Sequence, residues 1–177
     1  MTNEMEAGDL ISLALPYGLA LSLLIALVMS LSLAIAPDMW LSDYPPDIRV
    51  KYGPMSDRAK RFRPMIGVLF FGAVLLIMAA SNLRLQALPG TAPRFTDYLL
   101  SNLVILMVFN LFDLLIVDWL LFVTIQPSVI VLPGTEGMAG YKNYRFHFRA
   151  FLIGTVESAV AAGILAAIAL GLVRILA

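Results

Sequence analysis

Four apolar stretches, each close to the length of a bilayer crossing, constrain this chain more than any other feature. A helix rising about 1.5 Å per residue needs about 20 residues to cross a hydrocarbon core roughly 30 Å thick. The stretches run from about Leu10 to Ala36, Pro64 to Asn82, Asp97 to Thr124 and Ala150 to Leu176. Over its 177 residues the chain is 60% hydrophobic and only 14% charged, with a mean hydropathy of +0.89. Soluble domains carry about a quarter of charged residues and have nowhere to hide such an apolar excess. The expectation is an all-α, polytopic membrane protein: one domain, a four-transmembrane-helix bundle with longer loops at 37–63 and 125–149.

Lysine and arginine counts set the expected orientation. The loop between the first two spans holds Arg49, Lys51, Arg58, Lys60, Arg61 and Arg63, and the loop between the last two holds Lys142, Arg145 and Arg149. The opposite side has Arg84, Arg94 and Arg174. Both longer loops are therefore expected in the cytoplasm and both termini outside. Residues 1–9 carry Glu4, Glu6 and Asp9 but no basic residue, unlike the n-region of a signal peptide, so the first span is expected to be retained.

Composition excludes several functions. There is no cysteine, hence no disulfide framework, thiol redox centre or thiolate metal site. The single histidine, His147, rules out paired histidine ligands for haem within one chain. A net charge of zero argues against nucleic acid as a partner. No Gly-rich phosphate loop or metal-ligand spacing occurs, so neither a cofactor nor a metal is expected. The expected partners are the lipid bilayer and, at most, another membrane subunit or a second copy.

Small residues recur every four positions in the outer spans: Gly18, Ser22, Ala26, Ser30 and Ala34 in the first, and Ala159, Gly163, Ala167 and Gly171 in the fourth. Such stripes let helix backbones approach closely. Packing inside the bundle is favoured here over a homodimer seam. Pro16 is expected to kink the first span and Pro64 to open the second helix.

Chemistry concentrates in the third span, the only one with ionisable residues near its middle. At about 100° per residue, Asn110, Asp113 and Asp118 fall within an arc of roughly 140°. That arc should face the bundle, because a carboxylate facing lipid costs several kcal/mol. In the antiparallel fourth span, Glu157 lies at a depth similar to that of Asp118. No basic residue of any span lies at that depth. The acids must share protons, meet Arg145 or Arg149 reaching inward, or bind a cation.

The loops add candidates. The first has Trp40 and Tyr44 suited to an interfacial aromatic belt, then Pro45-Pro46 forcing an extended turn and a short helix from Asp47 to Tyr52. The segment Ser128–Leu132 is expected at the interface or returning towards the bundle. Farther on come Glu136, Tyr141, Lys142, His147 and Arg149. The alternation of aromatic and polar residues over Tyr144–Arg149 predicts either an interfacial strand or a helix start with snorkelling cations. His147 lies on the same side as Asp118 and Glu157, within reach of an acid–histidine pair.

The run Tyr44-Pro45-Pro46-Asp47-Ile48, the Asn110-x-x-Asp113-x-x-x-x-Asp118 pattern and the Pro133-Gly134-Thr135-Glu136…Tyr141-Lys142-x-Tyr144-x-Phe146-His147 stretch resemble an uncharacterised family of small bacterial four-helix membrane proteins. The resemblance covers about Tyr44 to Gly154. It implies a bacterial plasma (inner) membrane and carries no activity. Phe109-Asn110-Leu111-Phe112-Asp113 is also similar to the Phe-Asn-x-x-Asp motif of lipoprotein signal peptidase. This chain lacks that enzyme's Gly-Asn-x-x-Asp-Arg segment, and its expected orientation is opposite. The leading functional expectation is a protein that binds or moves a small cation or proton, or an accessory subunit, through Asn110, Asp113, Asp118 and Glu157. One alternative is a membrane-interface enzyme using Asp118 or Glu157 with His147 and Arg149 on a lipid or anionic substrate. Another is a structural subunit of a larger membrane complex.

Overall fold

A computed structural model describes residues 5–176. Among these there is no strand. The helices are α1 (Ala7–Ile35), α2 (Pro46–Tyr52), α3 (Asp57–Gln86), α4 (Phe95–Phe112), continued by a π-helical segment (Asp113–Ile125), and α5 (Tyr144–Leu176). Short 3-10 turns at Pro37–Asp43 and Ala139–Lys142 complete the order. Four helices, with α4 and its continuation taken as one, are long and apolar enough to cross a membrane. Their outer surfaces are apolar: Leu23, Phe71, Leu76 and Val156 are each about two-thirds exposed. Facing water, such side chains would each forgo about 1.5–3 kcal/mol of burial, so the four-helix, all-α design suits an apolar surround.

Helix α4 is the hub. It packs against α1 on one side and α5 on another, and more lightly against α3. Gly18 makes the α1 contact close: a Cβ there would fall 2.7 Å from the Val108 Cβ and 3.3 Å from the Ile105 carbonyl oxygen. Ser22 is buried one turn on, its hydroxyl donating to the Gly18 carbonyl at 2.8 Å. The expected stripe works only over this half of α1, because Ser30 and Ala34 are exposed and Ala26 is half-buried. In α5 the expectation fails. Ala159 and Ala167 are exposed, and a Cβ on Gly163 or Gly171 would meet nothing within 4 Å. The residues that α5 buries are Ala162 and Ala166, which have the same four-residue period on an adjacent face.

Two helix starts differ from the hydropathy reading. Helix α3 starts seven residues before Pro64, at Asp57, because Ser56 caps it by accepting from the Ala59 amide at 3.2 Å. Ser56 is itself held by buried Asp38, to whose carboxylate its hydroxyl donates at 3.0 Å. The basic run Arg58–Arg63 thus forms the first turns of α3, and Pro64 lies inside the helix. Helix α5 likewise starts at Tyr144, so Tyr144–Arg149 is a helix start and not a strand. Helix α1 runs through Pro16 without interruption.

The two longer loops fold onto each other at one end of the bundle. Pro45 is extended and α2 follows it, ending at Gly53 with φ +89°. The buried Tyr44 hydroxyl donates to the Ile130 carbonyl at 2.8 Å, and Ile130 and Leu132 turn back to pack on Ile48, Phe122 and Tyr141. Tyr141 accepts from the Leu132 amide at 2.9 Å and shares a 2.7 Å hydrogen bond with Thr135. Gly140 is needed where it stands, because the Asp47 carboxylate occupies the space a Cβ would fill.

Candidate functional site

Beneath this loop cluster, a cavity of about 780 Å³ opens among the π segment, the first turns of α5, the 3-10 turn after α1 and Phe70 of α3. It brings together Asn110, Asp113, Asp118 and Glu157, all four of the intramembrane candidates. His147 and Arg149 join them from the loop candidates, and Asp43 from the turn.

The local winding matters. From Asp113 onward the backbone bonds i to i+5, as in the 2.8 Å contact from the Gln126 amide to the Leu121 carbonyl. The Thr124 hydroxyl likewise reaches the Trp119 carbonyl at 2.7 Å. π-helix is rare and mostly confined to single turns, frequently at functional sites; here it extends over 13 residues. With more residues per turn, positions five apart approach alignment. Asp113 and Asp118 therefore stand closer to one line than an α-helix would allow. Gln126 ends the segment in a left-handed conformation at φ +52°, with its side-chain amide donating to the Val123 carbonyl at 2.9 Å.

Each polar side chain has a different degree of restraint. The Asn110 amide donates to the Phe151 carbonyl and the Thr155 hydroxyl, each at 3.1 Å, and its oxygen lies where a Cβ on Gly154 would fall. Gly154 is thus what lets α5 close over Asn110. His147 is 2% exposed, and its Nδ1 lies 2.8 Å from an Asp118 carboxylate oxygen. The Phe122 and Phe146 rings flank it, with centroids at 4.7 and 5.3 Å. Its Nε2 is buried with no hydrogen-bond partner. Asp113 and Glu157 form no hydrogen bond or ion pair among the described residues, and Arg149 pairs with neither. Glu157 is exposed at the cavity mouth.

Asp43 is the acid that sequence reasoning passed over. It sits at the mouth, and partial enclosure by protein lifts its carboxyl above the usual range. A hydrogen bond from Ser42 and the charge of Arg63 oppose that rise, Asp118 adds to it, and Arg49 opposes it. Its only signal in the sequence is position, directly before the Tyr-Pro-Pro turn that aims it.

The remaining loop candidates lie elsewhere. Tyr44, Asp47 and Tyr141 hold the loop cluster together. Burial raises the Tyr44 hydroxyl above its ordinary value, with neighbouring Tyr141 adding to the rise. Glu136 accepts from the Gly134 amide at 3.0 Å in an exposed turn, and backbone amides hold its carboxyl below the usual range. Lys142 is exposed at the end of its 3-10 turn. No group of three or more potential metal ligands occurs among the described residues. No protein-family model matches the chain, nor does any curated protein or solved structure.

Proposed function

We propose that this chain is an integral membrane protein whose cavity binds a small cationic species and exchanges protons with it. In this reading both longer loops face the cytoplasm of a bacterial cell, and the motifs of Tyr44–Gly154 support kinship with the small four-helix family they resemble. The observation that carries the function is a charge imbalance. Four carboxyl groups (Asp43, Asp113, Asp118 and Glu157) line one cavity whose basic lining residues are Arg149 and His147. Asp113 and Glu157 lack any counter-ion among the described residues. An ionised carboxylate at such depth costs several kcal/mol unless it is paired, so a bound cation or proton offsets that cost.

The Asp118–His147 pair supplies the exchange. Asp118 fixes the ring orientation and tautomer by accepting from Nδ1–H. In vesicles reconstituted with the full chain, Asp113→Asn and Glu157→Gln should each lower methylammonium binding or uptake by about tenfold or more, the loss of one charge contact of about 1.4 kcal/mol. Unchanged binding and uptake in both variants would end this reading.

A second reading is favoured by one observation. The 2.8 Å Asp118–His147 contact has the geometry of an oriented general base, which an interfacial enzyme acting on a lipid or anionic substrate would use with Arg149. The imbalance of carboxylates over cations weighs against an anionic substrate. The outward small-residue face of α5 supports, more weakly, a role as a subunit of a larger complex.

A further inference from the structure

The same cavity points to the shape of its ligand as well as its charge, and this step rests on the cation-binding reading above. On α5, Gly154, Glu157, Ala161, Leu165, Ile168 and Leu172 follow one another at spacings of three or four residues and so share one face. Gly154 and Glu157 line the acidic cavity. Leu165, Ile168 and Leu172 line a second cavity of about 400 Å³, between α5 and α3, at the other end of the bundle. Leu75, Met78, Ala79 and Leu83 form most of its α3 wall, with the side-chain amides of Asn82 and Gln86 among them. Ala161, half-buried, lies between the two. Glu157 to Leu172 spans 15 residues, about 22 Å of helix. One helix face therefore runs from a carboxylate towards an apolar trough, with the small Ala161 side chain between them.

We propose that the ligand is a single-chain amphipathic amine. Its ammonium lies among Glu157, Asp113 and Asp43, and its alkyl chain passes over Ala161 into the trough. Charge complementarity selects the cationic head and rejects a phosphate or sulfate, and the apolar lining selects an unbranched tail. Glu157, exposed beside Ile153 and Val156, stands where such a head would arrive sideways from an apolar medium.

Native mass spectrometry of the full chain in one detergent tests this, with n-dodecylammonium, n-butylammonium, n-dodecanol and n-dodecyl sulfate as probes. Partition into the micelle is the same for every variant, so ratios between variants isolate the protein's share. Ala161→Phe, which fills the junction, should cut dodecylammonium binding by about tenfold and change butylammonium binding by less than about twofold, because only the long chain has contacts beyond Ala161 to lose. Ile168→Trp, at a half-exposed trough residue, should act in the same direction and guards against misfolding of the first variant. Equal losses for both amines, or none, would overturn the chain-binding inference and leave the cation reading standing. If neither amine binds better than dodecanol, both ideas fail. Preferential binding of dodecyl sulfate would overturn the choice of a cationic head.

Discussion

On one side of α4, Gly18 and Ser22 let α1 close in until a single added carbon would collide with Val108. On the other, α3 and α5 stand apart, leaving the acidic cavity and the apolar trough, while α5 packs on α4 through residues that include Gly154, Ala162 and Ala166. Both sides use small residues, and the difference lies in what those residues admit. At Gly18 the space is filled by a neighbouring helix, which is cohesion. Along the open face it is left for something outside the chain. A glycine or alanine in a membrane helix is thus a statement about proximity, and only its surroundings say to what.

The largest expected effect breaks that comparison at its two extremes. Gly18→Leu must push α1 and α4 apart and should cost at least about 1–3 kcal/mol, as overpacking generally does. Gly163→Leu projects into open space and should stay within about 0.5 kcal/mol. Thermal unfolding in a single detergent compares the two. Similar losses would mean that α5's outward stripe is covered after all, for instance by a second copy.

A smaller effect is expected where α5 touches the hub. Gly154→Ala sets a methyl group 2.7 Å from the Asn110 amide oxygen. Asn110 can turn away only by giving up its donations to Phe151 and Thr155, a cost of about 1–2 kcal/mol. A double-mutant cycle with Asn110→Ala sharpens the point: once the amide is gone, the Gly154→Ala penalty should largely vanish. A penalty that persists would place the contact elsewhere on α4.

The hydrophobic lengths made the four helices legible, and the period of 3.6 put Asn110, Asp113 and Asp118 on one arc. Glu157 and His147 were placed at the right end by counting residues. What stayed hidden depended on details that periodicity does not carry. No Gly or Pro within Asp113–Ile125 announces the π winding, and side chains five apart are brought into line only by the backbone. The α5 stripe was misassigned because Ala159/Gly163 and Ala162/Ala166 have the same spacing and similar size, so pattern alone gives no rotation. Asp43 and Asp38 sit in a loop where neither has a periodic neighbour, and their roles arise from the charge of Asp118 far along the chain and from a hydrogen bond with Ser56 beyond α2.

Asp43 provides the smallest expected effect and a test of whether the open side bears a charge penalty that the closed side lacks. Its carboxyl is raised above 3.8, chiefly by enclosure. Between the ordinary value and the raised one, the folded chain holds a proton that the unfolded chain has already lost. Stability therefore falls as pH rises through that interval and remains lower above it. Asp43→Asn has no proton to lose, so it should match the wild type at the acid end and exceed it at neutral pH. The side chain is only partly enclosed and still reaches solvent, and Arg63 and Arg49 offset part of the cost, so the gain should be only about one or two degrees in Tm. A Tm difference that does not vary with pH would mean that the mouth of the cavity is effectively in water. In that case the selectivity for a cation must come from Asp113 and Glu157, with which no arginine among the described residues is paired.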